Sequence, residues 1–168
     1  MVCIFVKILN FVHIPYIGNV FYNVDLFAGT ANPTGENSDY NGLFLTKSEI
    51  SDAVTGDYLV GLPVRIEHVG KDVGRVVTAW SNGGKLDILV DVDETVFEGG
   101  CVSRFVRDNV CTDFSLGYQV SLEFSDAKKT YVPSKKTIKE VSIVKKGARD
   151  FCHIHGYSVA SETKRRKV

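Results

Sequence analysis

The chain has 168 residues, enough for one domain whose core holds without disulfide or metal staples. Apolar residues make up 44% and charged residues 24%, the balance of a globular fold rather than a disordered or fibrous chain. With 20 basic against 20 acidic side chains there is no cationic excess, which argues against a nucleic-acid-binding module.

In chain order, residues 1–22 are apolar, but Lys7, Asn10, His13 and Pro15 interrupt them too often for a membrane helix. Met1-Val2-Cys3-Ile4 lacks the basic start of a signal peptide, so the segment reads as one or two strands rich in Val, Ile and Phe. Residues 20–28 read as a strand, and residues 29–42, rich in small polar residues and holding Pro33, as a surface loop. Thr46 and Glu49 have capping-box spacing, which predicts a short helix to about Val54, stopped by Gly56.

Strands follow. Over 62–68, Leu62, Val64, Ile66 and His68 alternate with Arg65 and Glu67. Residues 74–80 and 85–92 form a hairpin around Asn82-Gly83-Gly84, so 62–92 reads as an antiparallel meander. Residues 101–109 carry Val102, Phe105 and Val106 at helical spacing. A strand over 113–124, a lysine-rich loop with Pro133 over 128–136, a strand over 137–144 and a last one over 149–157 complete the chain. The predicted fold is mainly β with a few helices, a closed or nearly closed antiparallel β-barrel.

The expected organisation is an N-terminal extension over 1–19, one folded domain over 20–157 and a basic tail over 158–168. That tail holds Lys164, Arg165, Arg166 and Lys167, either a frayed solvated end or a nuclear-import signal. Cys3, Cys101, Cys111 and Cys152 form no C-x-x-C pair, which excludes a zinc ribbon; Cys101 and Cys111 either pair or stay as partly buried thiols.

Three segments carry groups fit for nucleophilic catalysis, which needs a hydroxyl, a base in reach and donors for an oxyanion. His68 closes the 62–68 strand; a histidine there is structural or a base. Ser115 alternates with the bulky Phe114 and Leu116 and so faces the other side, toward a site or solvent. Glu140 lies in a strand able to pair near that of Ser115. The turn through Gly147, Ala148 and Arg149 is either a basic hairpin or an anion cradle with a fixed positive charge.

Together these segments resemble a superfamily: the herpesvirus capsid-maturation proteases (assemblins) and the tailed-phage prohead proteases. The similarity spans about residues 21–157. Asp25-Leu26-Phe27-Ala28-Gly29 resembles the early strand, and 43–54 the segment that leads to the histidine. Leu62-Pro63-Val64-Arg65-Ile66-Glu67-His68 with Val73-Gly74-Arg75-Val76 is close to the pattern LPVNINH…VGRV. Asp113-Phe114-Ser115-Leu116-Gly117-Tyr118 is similar to the phage nucleophile strand, and Glu140-Val141-Ser142-Ile143-Val144 to the phage ELSLV strand.

The resemblance implies a serine endopeptidase that cuts an internal scaffold, and itself, as a capsid or prohead matures. Ser115 would be the nucleophile, His68 its base and Glu140 the third member, where herpesvirus enzymes have a histidine. Asp113 and Glu67 are the nearby alternatives for that third place. Ala148 and Arg149 stand where those enzymes have paired arginines at the oxyanion hole, and only Arg149 matches. Tyr157-Ser158-Val159-Ala160-Ser161 resembles the release site, with the cut between Ala160 and Ser161. No cofactor, metal, nucleic acid or membrane is implied; scaffold substrate, capsid proteins and a weak homodimer are. The location would be the host nucleus for a herpesvirus-like enzyme or the host cytoplasm for a phage-like one, inside the immature capsid. A non-enzymatic scaffold or capsid-assembly module on the same fold is the alternative, since fold does not fix function.

Overall fold

The structure is a computed structural model that describes residues 24–34, 43–93 and 95–158. The strands expected before Val24 and the proposed cut at Ala160 and Ser161 lie outside these residues. In chain order the elements are β1 (Val24–Asn32), α1 (Lys47–Thr55), β2 (Pro63–Ile66), β3 (Val69–Asn82), β4 (Lys85–Asp93), α2 (Phe97–Arg107), β5 (Asp113–Ser125), β6 (Thr130–Val144) and β7 (Ile154–Ser158).

The strands form one seven-stranded sheet in the order β5-β6-β2-β3-β4-β1-β7. β2, β3 and β4 are the expected antiparallel meander. The antiparallel barrel expected from the sequence is corrected in two respects. β2 pairs with β6 in parallel, so the sheet is mixed. Among the described residues its edges, β5 and β7, are not joined by a ladder, so the sheet is not closed; a single bridge, Asp113 to His153 just before β7, links the two edges. There Phe114 N–H donates to the Cys152 carbonyl (2.7 Å) and Ile154 N–H to that of Thr112 (2.8 Å). Thr30 N–H reaches the His153 carbonyl, so residues 152–154 bond to β1 as well.

The core gathers alternate residues of the central strands, among them Val64, Val76, Leu86, Ile88, Val90, Val92 and Ile143, with Ile50 of α1 and Val102 of α2. β4 is buried on both faces, and its acids survive there because each is bonded. Asp87 accepts from Thr30 Oγ1 (2.7 Å) and Asn82 Nδ2 (2.9 Å); Asp91 accepts from the Arg75 amide (2.8 Å) and Nε (3.1 Å). The partner of Asp87 explains why β1 runs on to Asn32, into residues whose small polar side chains had read as loop: Thr30 and Asn32 turn inward and find acceptors.

α1 follows its caps. Thr46 Oγ1 accepts from Glu49 N–H (3.2 Å) and Glu49 Oε2 accepts from Thr46 N–H (2.8 Å), and Gly56 caps the far end. α2 starts at Phe97 rather than at 101 and runs through Gly99-Gly100. A Cβ on Gly99 would stand 1.9 Å from the Asp93 carbonyl oxygen, so the glycine allows the helix to sit against the end of β4.

β6 likewise begins at Thr130, within the expected lysine-rich loop. It forms a long ribbon with β5, and its register shifts beside Pro133, the residue that has no amide to donate. Phe124 and Tyr131 pack edge to face across the ribbon, centroids 5.4 Å apart. The last strand is shorter than expected, because residues 149–151 are a turn. Cys101, Cys111 and Cys152 are free thiols. Burial pushes Cys152 up to about 12.

Gly99→Ala tests the α2 packing. Alanine gains at most about 1 kcal/mol of helix propensity, but a backbone oxygen cannot rotate aside. The expected outcome is a net loss of about 1–3 kcal/mol in denaturant unfolding, the usual cost of overpacking.

Candidate active site

The centre is built on the short parallel ladder Val64–Val141, Arg65–Ser142 and Ile66–Ile143. Past Ile66 the chain reverses in a two-residue turn, Glu67-His68, before Val69 pairs back with Ile66. Both turn residues have positive φ, 49° for Glu67 and 61° for His68. This is the twist a tight hairpin needs, normally supplied by Asn or Gly. For other residues it costs about 1–3 kcal/mol each. β6 holds the turn in place: Glu67 N–H donates to the Ile143 carbonyl (3.2 Å), Glu67 Oε1 accepts from Lys145 N–H (2.8 Å) and Ser142 Oγ accepts from His68 N–H (2.9 Å). His68 is therefore not on the face of β2 with Val64 and Ile66, as alternation had placed it. The left-handed turn swings it over β5 and β6.

Ser115 pairs directly with Ser142, and Gly117 with Glu140. The three expected side chains come together: His68 Nε2 lies 2.8 Å from Ser115 Oγ, and His68 Nδ1 lies 2.6 Å from Glu140 Oε1. A carboxylate only accepts, so Nδ1 carries the proton, and the Nε2 lone pair faces the hydroxyl. Ser115 and Glu140 are buried, whereas the His68 side chain is 41% exposed, so the imidazole roofs the pair and opens it to solvent.

The alternative carboxylates are engaged elsewhere. Glu67 bonds the Lys145 amide. Asp113 accepts from Gly147 N–H (2.7 Å) and Thr112 Oγ1 (3.0 Å), and lies 2.7 Å from His153 Nδ1. That amide bond ties the 145–151 turn to the strand of Ser115. Ala148 is exposed on this turn. Arg149 is buried; its Nη2 donates to the Leu43 carbonyl (2.7 Å) and its guanidinium lies over the Tyr118 ring, 5.4 Å from the centroid. Burial pushes Tyr118 up to about 12 against the opposing pull of that guanidinium, so the phenol stays neutral. Beside the turn a surface groove of about 410 Å³ is lined by Asp113, Lys145, Lys146, Phe151 and His153 among others.

Two residues of the site had no role in the sequence reading. Ser142 Oγ donates to Glu140 Oε2 (2.8 Å) as well as accepting from His68 N–H. Its position two residues beyond Glu140, hence on the same face, was the available signal. A Cβ on Gly117 would come within 2.0 Å of Glu140 Oε1, the oxygen that meets His68. An isolated glycine in a strand marks such a close approach.

No family model and no curated protein sequence matches the chain. Solved structures do. KSHV protease in complex with a hexapeptide phosphonate inhibitor superposes with a TM-score of 0.53 at 16% identity, over 81% of this chain and 65% of that one. The chain has the assemblin fold. Varicella-zoster virus protease matches with a TM-score of 0.51 at 16% identity, over 81% of this chain and 64% of that one. Kaposi's sarcoma-associated herpesvirus protease in complex with a dimer disruptor gives 0.50 at 15% identity, over 87% and 82%. The chain thus spans just under two thirds of the length of the first and second of these assemblins.

Gly117→Ala isolates the His68–Glu140 contact. The new methyl displaces the carboxylate, whose flexible end can move, so the fold survives and the hydrogen bond does not. Proton NMR is expected to show the low-field Nδ1–H signal of His68 in the parent and to lose it in the variant, with unchanged far-UV circular dichroism.

Proposed function

We propose that this chain is a serine endopeptidase that cleaves the internal scaffold, and itself, during viral capsid or prohead maturation. The observation that carries the reading is the unbroken chain Ser115 Oγ, His68, Glu140, with contacts of 2.8 and 2.6 Å. The assemblin fold around it adds support.

In the proposed reaction, Ser115 Oγ attacks the carbonyl carbon that follows a small side chain, while its proton passes to His68 Nε2. The tetrahedral oxyanion is held by backbone amides of the turn at Ala148, with the positive charge of Arg149 behind them. His68 returns the proton to the leaving amine, and an acyl-enzyme on Ser115 remains. Water, deprotonated by the same nitrogen, attacks the ester; carboxylate leaves and Ser115 regains its proton. Glu140 holds the Nδ1–H tautomer and stabilises the imidazolium, the part a carboxylate plays in other triads. Glu140, which faces the imidazolium, is buried, and a fixed charge there acts more strongly than in water.

One substrate would be this chain's own tail, cut between Ala160 and Ser161 so that the basic end is shed. A weak homodimer, scaffold and capsid partners, and a place inside the immature capsid belong to the same proposal. The capsid would lie in the nucleus of a herpesvirus host or the cytoplasm of a phage host. The dimer-disruptor complex of the Kaposi's sarcoma-associated herpesvirus protease is the support for the dimer.

The test is a peptide with the sequence of residues 155–164, followed by mass spectrometry. Ser115→Ala is expected to lower kcat by on the order of 10⁵–10⁶-fold. Turnover equal to the parent would refute the assignment. Glu140→Gln, which keeps the volume but not the charge, is expected to lower kcat by about 10³–10⁴-fold without loss of fold. A peptide phosphonate should label Ser115 in the parent; a purely structural assembly module would remain unlabelled.

A further inference from the structure

We propose that Ser142 is a positioning residue of this site, a fixed hydroxyl that locks both the main chain of His68 and the carboxylate of Glu140. The proposal deepens the serine-protease reading and rests on it for its kinetic consequence.

Ser142 is fully buried, at 0% exposure. Its hydroxyl has one proton to give. Of its two neighbours, the His68 amide at 2.9 Å only donates and the Glu140 carboxylate at 2.8 Å only accepts. The proton is therefore committed to Oε2 and a lone pair to the amide. With the 2.6 Å contact between Oε1 and His68 Nδ1, a closed circuit results: ring to carboxylate, carboxylate to hydroxyl, hydroxyl back to the main chain of the same histidine. The carboxylate is gripped at both oxygens and cannot rotate away. The histidine is gripped at ring and backbone.

The backbone of Ser142 completes the arrangement. It pairs with Ser115 on the β5 side and with Arg65 of β2 on the other. The strand of the nucleophile, the strand of the carboxylate and the turn of the imidazole thus meet at one residue. Its amide bond also stabilises His68 at φ 61°, a conformation that needs outside support.

A buried serine that merely fills a polar gap would affect stability alone; a positioning serine affects the imidazole. The full chain is compared with Ser142→Ala and Ser142→Thr, the latter returning the hydroxyl. In Ser142→Ala the low-field Nδ1–H signal of His68 is expected to disappear or move upfield. The kcat of the folded enzyme on the 155–164 peptide is expected to fall about 10- to 100-fold, the range for losing hydrogen bonds to a charged group, with KM unchanged. Ser142→Thr is expected to recover signal and rate together. If the added methyl prevents folding, Glu140→Gln with Ser142→Ala takes its place. A loss no greater than that of Glu140→Gln alone supports action through Glu140, and a loss equal to the product of the two overturns it. An unchanged signal and parental kcat in Ser142→Ala also overturn the proposal. Should the parent cut no better than Ser115→Ala, the protease reading fails, and the NMR comparison still decides the role of Ser142.

Discussion

Three rungs of parallel pairing between β2 and β6 are the constraint on which the site depends. They run from Val64–Val141 to Ile66–Ile143. Val64, Val141 and Ile143 are completely buried, and each such side chain contributes about 1.5–3 kcal/mol of transfer free energy. The ladder is therefore anchored by the core rather than by the polar groups it carries. It fixes the height of the Glu67-His68 turn above β6, and so decides which residues of β6 lie beneath the imidazole. A slip of one residue would exchange Glu140 and Ser142 for their neighbours on the opposite face.

The strain in that turn has a counterpart in its attachments. Two left-handed residues in succession are unfavourable, and the turn persists because β6 over-determines it through the Ile143 carbonyl, the Ser142 hydroxyl and the Lys145 amide. The result is a histidine that projects sideways from the sheet instead of standing in line with β2. This is what allows one exposed ring to reach two buried partners on adjacent strands. A second clamp acts at the start of β5. Asp113 binds the Gly147 amide and holds the 145–151 turn near the strand of Ser115. A Cβ at Gly147 would lie 3.1 Å from the Phe114 carbonyl oxygen, a measure of how closely the turn is seated.

Close approach recurs wherever the site or its supports need it. Gly117 leaves room for the Glu140 carboxylate, and Gly99 lets α2 rest on the end of β4. Both glycines sit inside regular elements, where they cost backbone entropy. Their presence there makes sense only through the packing of neighbouring elements.

What the sequence by itself determined is local. The Thr46–Glu49 capping box, the Gly56 stop and the Asn82-Gly83-Gly84 turn satisfy their own backbone within a few residues, so they are readable without the rest of the molecule. The Leu62-to-Ile66 alternation likewise marked the strand that became β2. Residue chemistry and resemblance picked out Ser115, His68 and Glu140 as candidates, but not the distances among them. Tertiary structure decided the parallel β2–β6 ladder, the left-handed turn at His68, the early start of α2 and the long β5–β6 ribbon. It also decided the place of Ser142, whose hydroxyl meets an amide 74 residues away in the chain. No propensity or spacing encodes such a contact. It exists only once the buried apolar rungs have set the register, because hydrophobic burial selects the pairing and the polar groups follow.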